Sequence, residues 1–229
     1  MTHAPGNAPK GSRKRRVLLV EDHPIVREGL AEVINKTRDL AVCGEASTVK
    51  EALRLIPEVK PELAIVDLSL GEESGLDFIK DLRLRFPELP VLVLSMHDEA
   101  FYAERALRSG AKGYLMKREP VSVLRAAAMQ VLAGEIYLSP RMSQRLLTTL
   151  AKGGKAAARV PEDRLSDREL DVFKLIGRGR GASEIAKHLN LSVKTIETYQ
   201  ARMKEKLGLE TADELFRYAL SWVSSTEAP

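Results

Sequence analysis

The sequence predicts two units: an α/β doubly wound domain on a five-stranded parallel sheet and, after a linker, a small all-α domain of four helices. Three observations carry this reading. Short apolar runs alternate strictly with amphipathic segments from Val17 to Ala133, the runs are apolar at consecutive positions, and the pattern beyond residue 160 is helical throughout. Alternation of strand and helix implies a parallel sheet, and strands without a polar face imply helices on both sides of it.

The first fifteen residues mix Pro, Gly, Asn and Ser and lead into Ser12-Arg13-Lys14-Arg15-Arg16 with almost nothing apolar, which predicts a disordered basic tail over 1–15. The doubly wound domain is expected over 16–137. Its strands are Val17 to Val20, Leu40 to Cys43, Leu63 to Val66, Val91 to Leu94 and Gly113 to Met116. Helical patterns lie between them at Pro24 to Asn35, Thr48 to Ile56, Gly75 to Phe86 and Ala100 to Ser109, and Pro120 opens a fifth towards Ala133. Thr48 and Glu51 have capping-box spacing, and both Pro24 and Pro120 sit where a first-turn proline is tolerated.

Periodicity fades from Ser139 to Val160, which marks a linker over 138–160. Gly153-Gly154-Lys155 within it is no phosphate loop: the preceding glycine spacing, the following Ser or Thr and a feeding strand are all missing. The helical domain is expected over 161–225. Its helix starts are marked by Ser166-x-x-Glu169, Ser183, Ser192 and Thr211-x-x-Glu214, with Gly181 and Asn190 near the breaks and Gly208 as a C-cap.

Composition narrows the function classes. With 229 residues and 44% hydrophobic content the chain can bury two modest cores, and its net charge of +4 matters less than where the charges lie. The single cysteine, Cys43, falls in a strand and reads as core packing, so neither a disulfide nor a thiolate metal site can form within one chain. No apolar stretch has the length of a membrane span and no hydrophobic signal region follows the basic start, so a cytoplasmic location is expected.

In open parallel sheets the functional crevice lies beyond the carboxyl ends of the strands. Glu21 and Asp22 end the first strand, Asp67 the third and Ser95 the fourth, and Lys117 follows the fifth. If strands one, three, four and five are neighbours, three carboxylates, a hydroxyl and an ammonium converge. Carboxylates without thiolate or imidazole suit a hard cation such as Mg²⁺, and an aspartate beside it can attack a phosphoryl group while the metal and Lys117 neutralise the transferring oxygens. His23, beside the acidic pair, is read as a capping or solvent-facing residue, because Mg²⁺ does not favour imidazole.

Glu21-Asp22, Asp67, Ser95 and Lys117, with Tyr114 three residues before the lysine, resemble the receiver domain of bacterial two-component response regulators, a flavodoxin-like fold. The resemblance implies that Asp67 accepts phosphorylation, and that Glu21, Asp22, Asp67 and the backbone carbonyl of Ser69 bind Mg²⁺. It further implies that Ser95 and Tyr114 form a switch pair, hydroxyl and ring turning inward together, and that Lys117 pairs with the phosphate. From spacing alone Tyr114 can equally be a half-buried strand aromatic.

From Lys174 to Lys206 eight basic residues face three acidic ones. Val193 to Leu207 places Ile196, Tyr199, Met203 and Leu207 on one side and Lys194, Glu197, Thr198, Ala201 and Glu205 on the other, a face able to enter a major groove while cations hold phosphates. With Ser183 to Leu189 and the turn Asn190-Leu191-Ser192 this makes a helix-turn-helix, although charge alone would fit an ordinary solvated bundle face. Leu165-Ser-Asp-Arg-Glu-Leu170, Glu184-Ile-Ala186, Leu191-Ser-Val-Lys-Thr-Ile196 and Lys206-Leu-Gly208 resemble the helix-turn-helix of LuxR-type regulators, and the whole chain resembles the NarL/FixJ subfamily. Gly181-Ala182 and Tyr199 depart from that pattern. Lys194 and Thr195 are expected at the DNA backbone, and Glu197, Thr198 and Ala201 at base edges with Arg202 beside them. The stripe Leu215, Tyr218, Ala219 and Trp222 is either intradomain core or the dimerisation helix that the resemblance implies.

The expected function is a phosphorylation-controlled, DNA-binding transcriptional regulator rather than an enzyme, partnered by a sensor histidine kinase and dimerising on phosphorylation. Two alternatives share the parts: a constitutive DNA-binding regulator with a phosphorylation-independent receiver, and an Mg²⁺-dependent aspartyl phosphohydrolase, for which no cap or substrate-pocket signal is present.

Overall fold

The computed structural model describes residues 13–71, 73–151 and 164–227. Most of the basic tail, residues 1–12, and the linker residues 152–160 lie outside them.

The doubly wound domain runs β1 (Arg15–Val20), α1 (Pro24–Asn35), β2 (Leu40–Ala46), α2 (Val49–Val59), β3 (Leu63–Val66), a small hairpin of β4 (Ser69–Leu70) and β5 (Glu73–Ser74), α3 (Gly75–Arg85), β6 (Val91–Ser95), α4 (Glu99–Ser109), β7 (Gly113–Met116) and α5 (Val121–Leu132). The five long strands form one parallel sheet in the order β2-β1-β3-β6-β7. Alternate residues of β1 serve opposite faces: Val17 and Leu19 pack with Ala31 and Ile34 of α1 and Leu124 and Ala127 of α5, while Leu18 and Val20 pack with α2, α3 and α4. β3, β6, β7 and the last four residues of β1 are buried throughout, which demands apolar residues at consecutive positions, whereas the edge strand β2 is only partly buried.

Local chemistry explains the boundaries. Thr48 accepts the Glu51 N–H as an N-cap should, but the Glu51 carboxylate accepts from Ser47 rather than from Thr48. Ser74 caps α3 through the Asp77 N–H, and Asp98 caps α4 through Ala100. The sequence ends α2 at Ile56, whereas the helix continues through Pro57 to Val59 and closes on Lys60 in the left-handed region. Cys43 lies on the edge strand β2 and is half-buried rather than core.

The stretch read as linker begins with a helix, α6 (Pro140–Ala151). Among its described side chains only Met142 is buried, and Leu147 is largely exposed. Before it, Tyr137 bridges to Gly113 beside β7.

The second unit comprises α7 (Asp167–Gly177), α8 (Ala182–Leu189), α9 (Val193–Leu207) and α10 (Ala212–Glu227). Ser166 and Glu169 form a complete capping box, as do Thr211 and Glu214. The N-cap of α8 lies two residues earlier than Ser183 suggests: it is Gly181, whose N–H is accepted by the Glu184 carboxylate, and Ser183 falls inside the first turn. Asn190 and Gly208 end α8 and α9 in the left-handed conformation. α7 and α10 approach so closely that a Cβ on Gly177 would stand 2.4 Å from the Ala219 carbonyl oxygen.

The two units share packing. Phe101 of α4 meets Trp222 of α10 with ring centroids 4.9 Å apart, and Trp222 also packs on Phe173 of α7 at 5.4 Å. No helix among the described residues is long and apolar enough to cross a membrane.

Candidate functional site

Every chemistry-bearing residue of the doubly wound domain stands at the carboxyl end of a strand. Because β1, β3, β6 and β7 are consecutive in the sheet, Glu21, Asp67, Ser95 and Lys117 are brought together from almost one hundred residues of chain. The Lys117 ammonium lies 2.5 Å from Glu21 Oε2 and 2.7 Å from Asp67 Oδ2, and the three side chains are 10%, 1% and 4% exposed. Burial disfavours the charged lysine, but the two carboxylates more than offset this and hold its pKa above the ordinary value. A backbone bond from the Asp67 N–H to the Val20 carbonyl fixes the aspartate to the neighbouring strand.

The carboxylates are left under-satisfied. Asp67 Oδ1 is buried and accepts no hydrogen bond. Asp22 Oδ2 accepts the Gly71 N–H at 2.9 Å, while its buried Oδ1 has only the His23 ring nitrogen at 2.7 Å, without hydrogen-bond geometry. Buried carboxylate oxygens normally find donors. Two orphaned carboxylate oxygens and an all-oxygen donor set fit a hard divalent cation such as Mg²⁺. Glu21, Asp22 and His23 offer ligand atoms within 4.8 Å of one another, and the Lys117 ammonium bridges Glu21 of that group to Asp67. His23 is the solvent-facing residue expected, 66% exposed, yet its side chain makes no cap to α1 and instead meets the two acids.

Ser95 and Tyr114 both act on His97. Ser95 Oγ accepts the His97 N–H at 3.2 Å, and the Tyr114 hydroxyl donates to the His97 carbonyl at 2.8 Å. Tyr114 is fully buried, not half-buried, and burial raises its pKa well above the ordinary phenol value, so the hydroxyl stays protonated. Its ring already occupies the inward position. The His97 ring stacks on Tyr102 and its Nε2 lies 2.9 Å from the Ser69 hydroxyl. The Ser69 side chain is thus committed to His97. Gly75 packs under the site: a Cβ there would stand 2.5 Å from the Leu68 Cα and 2.7 Å from the Asp67 carbonyl oxygen.

In the helical unit, Ile196 and Met203 are buried and Tyr199 is half-buried, whereas Lys194, Glu197, Thr198, Ala201 and Arg202 are exposed. Thr195 belongs to the α9 cap: its N–H bonds the Ser192 hydroxyl at 3.0 Å and its Oγ1 lies 2.7 Å from the same oxygen. The Thr198 hydroxyl donates to the Lys194 carbonyl. Of the α10 stripe, Leu215 and Ala219 are core and Tyr218 and Trp222 pack against Phe173, so this stripe serves the fold; Phe216 and Leu220 on another side are exposed.

Comparison with known proteins agrees with both halves of this geometry. Residues 17–129 match the response regulator receiver domain, and residues 163–219 match the bacterial regulatory proteins of the luxR family. The oxygen regulatory protein NreC of Staphylococcus aureus is 35% identical over 209 residues, covering 90% of this chain and 96% of that protein. The chain belongs to the LuxR-type response regulators. Among solved structures, RcsB from Salmonella enterica serovar Typhimurium bound to promoter rprA in the presence of phosphomimetic BeF3⁻ is similar, with a TM-score of 0.56, 27% identity and coverage of 91% of this chain and 99% of that one. A LuxR-family response regulator from Aurantimonas sp. SI85-9A1 aligns over 60% of this chain and 99% of its own, with TM-score 0.56 and 33% identity.

Sequence reasoning about this response regulator missed three residues that the structure brings to the site. His97 and Gly71 carried no motif, and Gly75 signals itself only as a glycine opening a helix directly after a strand end. Their roles depend on what approaches them in space.

Proposed function

We propose that this response regulator accepts a phosphoryl group on Asp67 and thereby controls DNA binding through α9. The observation that supports it most is the Asp67 carboxylate itself: buried at the end of a central strand, one oxygen paired with Lys117 and the other without a partner. Such an oxygen is held as a nucleophile, and Lys117 is placed to follow the charge onto a phosphoryl group. Glu21, Asp22, Asp67 and the Ser69 carbonyl would hold Mg²⁺, which neutralises charge on the transferring oxygens. Ser95 and Tyr114 carry the change onward through the 96–98 loop. Lys194 and Thr195, with Arg202, would hold phosphates of a duplex, and Glu197, Thr198 and Ala201 would face base edges. The donor would be a sensor histidine kinase or a small phosphodonor. The regulator would act in the cytoplasm as a switch, not as a turnover enzyme, and would dimerise when phosphorylated.

Intact-protein mass after incubation with Mg²⁺ and acetyl phosphate tests this, for wild type and Asp67→Asn, with sizing of the same samples. One added phosphoryl mass in wild type only, with a shift towards dimer, is the expected result. No added mass in wild type would leave a DNA-binding protein controlled in another way.

A further inference from the structure

A second crevice, of about 730 Å³, lies between α3 and α4 of the receiver and the segment that enters α7 together with the end of α9. Five cationic side chains line it, Lys80, Arg105 and Arg108 from the receiver and Arg164 and Lys206 from the helical unit, against two carboxylates, Asp77 and Asp167. Neither the Asp67 site nor the duplex-facing residues of α9 include any of them. Two helices also start at this crevice, since Ser74 and Ser166, the N-caps of α3 and α7, are part of its lining. The positive ends of two helix dipoles are therefore added to the side-chain charge.

Local partners compensate that charge incompletely. Arg105 Nη2 donates to the Leu165 carbonyl at 2.5 Å, Asp167 Oδ1 comes no nearer than 3.9 Å, and the buried Nη1 has no acceptor. Burial pushes the Asp167 carboxyl above its ordinary value, despite the Ser74 hydroxyl and Arg105 beside it. Arg164 donates to the Lys206 carbonyl at 3.3 Å and, among the described residues, pairs with no carboxylate. Lys80 and Arg108 do hold acids, Asp77 at 2.7 Å and Glu104 at 2.5 Å, but each of these pairs is exposed and lies within one helix, so it yields readily to a better anion. Lys206 stays with the buried Glu169 at 2.6 Å.

We infer that this crevice binds a small anion carrying two or more phosphates, held between the units by Lys80, Arg105, Arg108 and Arg164. Guanidinium forks match phosphate oxygens, and helix N-termini are a common setting for phosphate. Phosphate fits better than carboxylate because it offers more acceptor oxygens to donors that arrive from several directions. The cations stand on both walls of a crevice far larger than one phosphate, so a second phosphate engages cations that the first does not reach. Leu76 and Leu165 are the only apolar residues of the lining and no aromatic ring belongs to it, so nothing is offered to stack on a nucleobase. Recognition is of the phosphates. The site is complete only where the two units meet, and it does not depend on Asp67.

Inorganic pyrophosphate titrated into the full-length protein by calorimetry tests this, at low salt and in EDTA so that cation-dependent binding at the Asp67 site does not contribute. Wild type, Arg164→Gln and Lys80→Gln, which remove one cation from each wall, are compared with Lys194→Ala on α9. Both crevice residues are exposed, and cooperative melting checks the fold of each variant. One pyrophosphate per chain is expected in wild type. Loss of a charge-assisted hydrogen bond should weaken it by about tenfold in Arg164→Gln and by a smaller factor in Lys80→Gln, whose ammonium Asp77 already holds in part. Lys194→Ala should bind as wild type does. Absence of binding to wild type at about 1 mM pyrophosphate, or wild-type affinity in both crevice variants, overturns the site. A loss in Lys194→Ala as large as that in Arg164→Gln would put the anion on α9 instead, and citrate binding as tightly as pyrophosphate would overturn the phosphate assignment.

Discussion

Replacing Lys117 by methionine would keep the buried aliphatic stem and remove only the charge. The ion pair it makes with Asp67 is 2.7 Å long, the same length as that between Lys80 and Asp77 on the surface of α3, so distance does not separate the two. Burial does: Lys117, Asp67 and Glu21 are 10%, 4% and 1% exposed, whereas Lys80 and Asp77 are 58% and 68% exposed. Breaking a buried pair leaves uncompensated charge and costs about 3–5 kcal/mol, while an exposed pair contributes about 0.3–0.5 kcal/mol after side-chain entropy and screening. Lys117→Met strands two buried carboxylates at once and belongs at the upper end of that range. At about 1.36 kcal/mol per decade, exchange of the most protected β1 and β3 amides should accelerate by about a hundredfold to several thousandfold at pH 7. Lys80→Met should change it by less than about threefold. The measurement is made in EDTA, because a cation at a hundred times its dissociation constant would restore about 2.7 kcal/mol and blur the contrast. A loss below about 1 kcal/mol for Lys117→Met would refute the reasoning, since it would mean that the carboxylates are hydrated rather than held by the lysine.

Gly75→Ala would push a methyl into the Leu68 and Asp67 backbone, so we expect a loss of about 1–3 kcal/mol in urea unfolding together with slower phosphorylation by acetyl phosphate; wild-type rates would show that the strand end can retreat freely. Burial pushes the Glu169 carboxyl up, but Lys206 and the Ser166 cap more than offset it and hold it below its ordinary value of 4.5. A depressed folded-state pKa gives stability that is present above 4.5 and lost as pH falls through the lower folded value, so Glu169→Gln should flatten the acid limb of the unfolding curve below about pH 4.5 and lower stability at pH 7. Lys194→Ala should weaken binding to any duplex and reduce the slope of log affinity against log salt by about 0.9, whereas Thr198→Ala should leave that slope unchanged, both read by fluorescence anisotropy across salt concentrations.

The sequence by itself determined the five strands, the helices between them and the helical second unit, because these follow from periodicity and caps that are local. It also placed Glu21, Asp22, Asp67, Ser95 and Lys117 at strand ends, and a parallel sheet puts strand ends at one edge whatever the loops do. Other features were not local. Whether Tyr114 points inward depends on the room left by its neighbours and on the His97 carbonyl it bonds. The helix Pro140–Ala151 lay in the stretch read as linker, and among its described side chains only Met142 is buried. Nothing near Asp171 or His97 in sequence foretold that they meet, since 74 positions separate them and only the docking of α7 on the strand-end loops closes that gap to 3.1 Å. Packing between two separately patterned units is decided by the shapes and charges of finished surfaces, and those exist only once each unit has folded.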